Sequence, residues 1–308
     1  DWDLSAYSID SKNKWTVVSE QQPIKSPFGQ VFGYKSNMFQ IHISGLAEQN
    51  VLNKNVYHLI KTYVYFHETS KNDIEPVWEF IGLEDVRLFR WEKQLYASGV
   101  RRDVKENGEG RIELCKLDIT PDGVIEATRD RVEVDPHTHL EKNWMPILDM
   151  PFHFVRWCNP LEIIKVNPNN KSKQKALKGE LDIIDSEVVF KSNKPLDLPL
   201  GLRGSSQVIP FGDNGDRICV THETHFFWHQ NKKKDAQYYH RFIIWDKDWN
   251  IKKVSEQFKF MDAMIEFACG LVIKDNNFII TYGYQDNAAY ALKMPIQLLD
   301  KLKWDIDE

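Results

Sequence analysis

No stretch of this 308-residue sequence approaches the roughly 18–20 consecutive apolar residues that cross a bilayer as a helix. The opening "DWDLSAYSID" lacks both a basic flank and an apolar core, so it is not a secretory signal. It begins at Asp1 rather than Met, which we read as processing or as a piece of a longer chain. Positive charge is not in excess. Lys and Arg number 40 against 45 Asp and Glu, a net −5 that argues against a nucleic-acid footprint. Cysteine pairs are missing too: Cys115, Cys158, Cys219 and Cys269 lie far apart, with no CxxC to make a zinc ribbon or thioredoxin-type site. They read as reduced, buried thiols of a cytoplasmic protein. Long helical periods are scarce. One helix is expected, in "MPIQLLDKLKW", where Pro295 suits a first helical position and Ile296, Leu298, Leu299 and Leu302 share a face.

What is present is a series of short runs rich in β-branched and aromatic residues, bounded by Gly, Pro, Asn or Asp. Hairpins are expected to turn at Glu92-Lys93, Pro121-Asp122-Gly123, Asp213-Asn214-Gly215, Asp246-Lys247-Asp248 and Lys274–Asn277. The hairpins recur loosely. Polar pairs Glu84-Asp85, Lys142-Asn143, Arg203-Gly204 and Glu266-Phe267 open successive units, their first members 58, 61 and 63 residues apart. Four strands per unit at regular spacing predict an all-β fold, a five-bladed β-propeller with a short C-terminal helix. The segments "GQVFGYKSNMFQIHIS" and "VYHLIKTYVYFHE" supply one further unit. Residues 1–308 are read as a single propeller domain, with a β-sandwich carrying insertions as the rival.

In a propeller the first strand of each blade lines the central channel, so residues about 60 apart in sequence become neighbours. The channel set would be Asp85, Arg87, Lys142, Asn143, Arg203, Glu266 and Asp286, with Arg156, His222, Tyr239 and Arg241 from second strands. It joins acids that can donate a proton to cations that can hold an anion, a combination that suits glycosyl transfer. Aromatics reach 12% with 10 Trp, and Trp144 beside Lys142-Asn143 suits a sugar face. "THETHFFWH" invites a metal reading. Its spacing is HExH rather than HExxH, however, and its flanks read as strand, where His222 and Glu223 face opposite ways. No metal is expected. The polar stretches 167–180 and 230–236 are read as solvated loops on the rim.

The ordered motifs "GLEDVRLF", "EKNWMPI", "LRGSSQVIPF", "VTHE", "YYHRFIIWD" and "ITYGYQDNAAYAL" resemble those of glycoside hydrolase family 130 and related β-1,2-mannosyltransferases, from about Gly82 to Leu292. The resemblance implies a five-bladed propeller acting on β-mannosides. It implies Asp85 of Glu84-Asp85-Val86-Arg87 as the general acid. Lys142, Asn143, Arg156, Arg203, His222 and Tyr239 (or Tyr238) would hold phosphate or the donor's phosphate. Glu84, Arg87, Trp144, Glu266 and Asp286 would contact sugar. Val86 stands where the family has Pro, leaving Asp85 without a rigid follower.

The function expected is therefore an inverting glycoside phosphorylase or glycosyltransferase on a β-mannoside-like glycan. The alternatives are a hydrolase of the same fold and a non-catalytic glycan-binding module of a polysaccharide-synthesis protein. No cofactor is expected: inorganic phosphate, a sugar-1-phosphate or a nucleotide sugar would serve as substrate. The partner is carbohydrate, with no nucleic acid and no membrane span. A homo-oligomer, or fusion to other glycan-synthesis domains, is left open.

Overall fold

The computed structural model describes residues 82–307, apart from 122, 178, 194, 196, 198–201, 229–233 and 287. Before these it describes the backbone of six short strands. They are β1 (Ala6–Ile9), β2 (Trp15–Ser19), β3 (Gln22–Lys25), β4 (Val31–Lys35), β5 (Met38–His42) and β6 (Lys61–Tyr65). β1 pairs with β2, β3 with β4 and β5 with β6, all antiparallel. They form one compact unit together with Asp118–Glu126. The extra unit expected from "GQVFGYKSNMFQIHIS" and "VYHLIKTYVYFHE" falls partly on these strands and otherwise outside the described residues.

Four antiparallel meanders lie in the second unit, Asn72–Leu117 with Ala127–Glu308, except for the part of the first that falls within Asp118–Glu126. The first is β7 (Leu83–Trp91), β8 (Gln94–Arg101), β9 (Arg111–Thr120) and β10 (Gly123–Glu133). The second is β11 (Met145–Pro146), β12 (His153–Cys158), β13 (Leu161–Lys175) and β14 (Glu180–Lys191). The third comprises β15 (Arg203–Gly204), β16 (Ile209–Phe211), β17 (Asp216–Trp228), β18 (Lys234–Trp245) and β19 (Ile251–Ser255). The fourth is β20 (Glu266–Lys274), β21 (Asn277–Tyr284) and β22 (Ala288–Pro295). A 3-10 turn, Ile296–Lys301, follows, and β23 (Trp304–Asp307) returns to pair with β19. β10 and β14 pair in parallel, so the first two meanders form a path of eight strands through one ten-stranded sheet, and the strands that end this path, β7 and β11, pack together. The described chain is thus nearly all β. The expected C-terminal helix is a single 3-10 segment, with Pro295 just before it and Leu299 its buried residue.

Turn chemistry fell where the residues dictate it. Glu92 and Lys93 both take positive φ (50° and 79°), as do Asp275 and Asn276 (49° and 57°), the signature of a two-residue hairpin turn. Asp246 caps its own turn, its Oδ1 accepting from the backbone of Asp248 and Asn250 at 2.8 Å each. The expected loop at 167–180 is instead the far half of the β13–β14 hairpin, whose ladder runs on from Lys171↔Ile184 to Lys175↔Glu180. Exposed polar side chains do not prevent a strand where the backbone ladder resumes beyond an irregularity, here between Asn167 and Lys171, and Lys171 reaches the buried Asp130 at 2.7 Å. At 230–236, residues 234–236 belong to β18, and 230–233 lie outside the described residues.

Successive meanders stack face to face, which explains runs such as "FIIW" that do not alternate with polar residues. On β18, Phe242 and Ile244 face one core while Ile243 and Trp245 face the next. On β12 and β13, Phe154 and Ile164 join the core shared with Phe89 and Trp91, whereas Val155 and Ile163 join the one shared with Cys219. Each such side chain stabilises the fold by about 1.5–3 kcal/mol on burial. The stacking brings first strands together, β7 packing against both β11 and β20, and β17 of the third meander also packs against β20.

Candidate active site

Asp85 sits at a β-bulge. Glu84 pairs with Val100 and Arg87 with Ser98, so Asp85 and Val86 together oppose Gly99. Asp85 takes φ +53°, a left-handed conformation that Asp tolerates better than most residues. The backbone around Asp85 is held from elsewhere in the chain. Arg87 Nη1 donates to the Asp85 carbonyl at 2.5 Å, and its Nε donates to Ser205 O at 2.8 Å. Across the bulge there is no room for a side chain: a Cβ on Gly99 would lie 2.7 Å from Glu84 O and 3.3 Å from Val86 Cγ2. We expect Gly99→Ala to cost about 1–3 kcal/mol. It should also lower activity at least tenfold by displacing Asp85, read as paired melting and rate measurements. An unchanged rate would mean that the bulge does not set Asp85.

Around Asp85 lies a cavity of about 160 Å³ lined by Lys142, Asn143, Arg203, His222, Thr224, Phe226, Tyr238, Ile265, Phe267 and Asp286. Five of the expected anion and sugar contacts, Lys142, Asn143, Arg203, His222 and Asp286, thus share one wall system with Asp85. Neither Lys142 nor Arg203 forms an ion pair with a carboxylate among the described residues. Asn143 holds φ +63°, and Gly204 approaches its carbonyl so closely that a Cβ there would stand 2.2 Å away. Asp286 stands in the turn after β21, where Gln285 N donates to Ile265 O at 2.8 Å. Burial, reinforced by Asp85, holds the Asp286 carboxyl above the usual carboxylate range.

His222 is 2% exposed, and its Nδ1 is 2.8 Å from Ser205 Oγ. It stacks on Tyr238, with centroids 5.5 Å apart, and meets Phe267 edge-on at 5.1 Å. Burial first, and then neighbouring His240 and the cations Arg87, Arg203 and Lys142, push its pKa well below the ordinary value. It is therefore a neutral hydrogen-bonding group rather than a positive charge. Buried His240 is pushed down to about 3, again by burial. The unfolded chain protonates both near pH 6.5 while the folded chain does not, so stability falls as pH drops below that point. The expected loss is about 1.4 kcal/mol per pH unit for each histidine. Denaturant midpoints at pH 7.5 and 5.5 should show it, and His240→Phe should flatten the slope. A slope unaltered by that variant would refute the assignment.

Several expected site residues lie elsewhere. Tyr239 is on the opposite face of β18, against His225 at 5.1 Å, and Tyr238 takes the cavity position because neighbours on a strand alternate. Arg87 is 1% exposed behind the wall, with its guanidinium 5.0 Å from the Phe267 ring centroid. Arg156 is committed to carboxylates: Nη2 to Glu141 Oε1 and Nη1 to Glu162 Oε1, both at 2.7 Å. Trp144 is buried in the core with its Nε1 donating to Glu141. Glu266, fully buried, accepts from the backbone N–H of Phe260, Met261 and Ala263 at 2.7–3.1 Å, clamping the loop before β20. Glu84 is half-buried with one unpartnered oxygen, and burial followed by Asp85 raises its pKa. Arg241 turns away to Glu223 and Asp305. Of the "THETH" residues, His225 contacts Glu223 at 3.3 Å, on the face away from His222.

Sequence reasoning passed over Thr224, Phe226, Ile265 and Phe267. The first two could have been found from strand alternation, since they follow His222 at steps of two. A second cavity of about 360 Å³ adjoins the first through Lys142, Asn143 and Arg203, with His139, Arg156 and Trp157 on its far side.

No family model and no curated protein matches the chain. Solved structures do. The chain resembles mannoside phosphorylases and a mannosyltransferase. A phosphate-bound mannose phosphorylase from Leishmania mexicana is 10% identical with a TM-score of 0.35, over 73% of this chain and 89% of that one. A GDP-Man-dependent mannosyltransferase from the same organism is 13% identical at 0.41, over 73% of each chain. A β-1,2-mannobiose phosphorylase from Listeria innocua is 10% identical at 0.43, over 72% of this chain and 60% of that one. At such values the likeness carries no chemistry, which rests on the cavity's own residues.

Proposed function

We propose that the cavity catalyses inverting transfer of a mannose-like glycosyl group, as a phosphorylase or a glycosyltransferase. The observation that carries this is one small cavity containing two carboxylates, two cations without ion-pair partners among the described residues, and a neutral imidazole beside a tyrosine. In phosphorolysis, phosphate held by Lys142, Arg203, Asn143 and His222 attacks the anomeric carbon from the face opposite the leaving group. The anomeric C–O bond breaks as the new C–O–P bond forms. Asp85 gives its proton to the departing oxygen, directly or through a sugar hydroxyl, and is reprotonated from the next phosphate or from solvent. In synthesis Asp85 takes the acceptor's proton and the cations hold the donor's phosphate. Asp286 and Tyr238 would contact sugar hydroxyls, and Phe267 would supply an apolar face. The two cations favour a phosphate-bearing reactant over water. We read the four meanders as propeller blades, their first strands converging on this cavity.

The test offers the protein inorganic phosphate with β-linked mannooligosaccharides, then mannose-1-phosphate or GDP-mannose with a mannose acceptor. Release of sugar phosphate, phosphate or nucleotide is expected from one of these. Binding of the glycans without any product would overturn the enzyme in favour of a glycan-binding module.

A further inference from the structure

β17 does not end at the cavity. Residues two apart on a strand share a face, so His222, Thr224, Phe226 and Trp228 form one row. Pairing with β18 sets His240, Tyr238 and Ala236 opposite the first three in turn, and directly opposed residues share that face. The row starts inside, with His222 2% exposed, and runs outward to Phe226 at 60% and Trp228 at 68%. Phe226 itself lines the cavity. An aromatic track therefore leads from the candidate reaction centre to the surface, with Phe226 and Trp228 about 6.6 Å apart along the strand.

Large aromatic side chains exposed in series are costly to solubility and mark binding surfaces. A pyranose ring presents a row of C–H groups on one face, which packs on an aromatic ring while its hydroxyls stay in water. We propose that the outer part of β17 is an extended subsite for a glycan chain, the sugars beyond the reacting unit stacking on Phe226 and Trp228. The substrate class is then an oligosaccharide or polysaccharide rather than a monosaccharide or disaccharide. This rests on the glycosyl-transfer proposal and adds the length of the substrate to it. A lipid surface is the competing occupant of exposed aromatics. Continuity of the track with the cavity favours the glycan.

The experiment titrates the wild type and Trp228→Ala with β-linked mannooligosaccharides of about two to six units. Cello- and xylo-oligosaccharides of the same lengths run in parallel, and binding is followed by calorimetry. Trp228 is largely exposed, and the variant's melting curve confirms that it folds. Affinity in the wild type is expected to rise about five- to tenfold with length, and the length dependence to disappear in the variant. An equal length dependence in both proteins overturns the subsite and leaves the cavity proposal standing. Trp228-dependent gain with cello- or xylo-oligosaccharides alone keeps the subsite and overturns the mannose assignment. Trp228-dependent adsorption to phosphatidylserine vesicles, without any glycan length dependence, overturns the subsite in favour of a membrane. No binding by any series overturns both.

Discussion

Asp85→Asn should abolish turnover, lowering kcat about 10²–10⁴-fold in whichever direction the enzyme works. The amide keeps the shape of the carboxylate and the left-handed backbone at φ +53°, but it cannot give or take the proton. Asp85 contributes only its carbonyl to the Arg87 lock, so the fold should survive. Binding of phosphate, read by calorimetry, should persist because Lys142 and Arg203 are untouched. A variant that turns over at near wild-type rate would remove Asp85 from the chemistry. A variant that also loses phosphate would make it a binding residue instead.

Arg87→Met should have the largest effect on the fold. The guanidinium satisfies Asp85 O, Ser205 O and Gly204 O and reaches Asn143 Oδ1 at 3.4 Å, and the whole side chain is buried. Methionine fills similar space but leaves these acceptors without a donor. The expected cost is about 3–5 kcal/mol, read as a shift in the denaturant midpoint. Arg87→Lys should rescue little, since one ammonium cannot address carbonyls on separate strands in the planar fork of an arginine. Activity in the folded fraction should fall too, because β7, Asn143 and the Gly204-Ser205 segment are fixed to one another through this residue. A midpoint within experimental error of wild type would mean the hydrogen bonds are replaceable by water.

Much of the plan is legible in sequence because turns and strand starts are local. Glu92-Lys93 and Asp275-Asn276 turn where their neighbours require it, and the polar pairs near Asp85, Lys142 and Arg203 do meet around one cavity. What is not legible is which way a side chain faces and what is already holding it. Tyr238 and Tyr239 differ by one position and lie on opposite faces of a strand. Arg156 and Arg203 are both arginines near a first strand, yet Arg156 is claimed by Glu141 and Glu162, and Glu141 lies 15 residues away. Arg87 is bound to carbonyls 117 and 118 residues away. Glu266, a charged residue at a strand start, serves three backbone amides rather than a ligand. In each case the deciding partner is distant in sequence or is the backbone itself, and residue type encodes neither.

The return of β23 to β19 has a consequence for how the chain is made. Hairpins β17–β18 and β18–β19 can close as soon as they are synthesised, because their partners are adjacent. The outer edge of β19 stays open until Trp304–Asp307 has been added, after the whole fourth meander. Until then Arg241 lacks Asp305, and Val254 lacks Ile306 opposite it. An unpaired edge of this kind is the place where a nascent chain is most easily captured by another strand. Pairing of Trp304–Asp307 therefore closes this edge: a nascent chain made only as far as the 3-10 segment would carry its candidate site largely assembled and one sheet still open to misassembly.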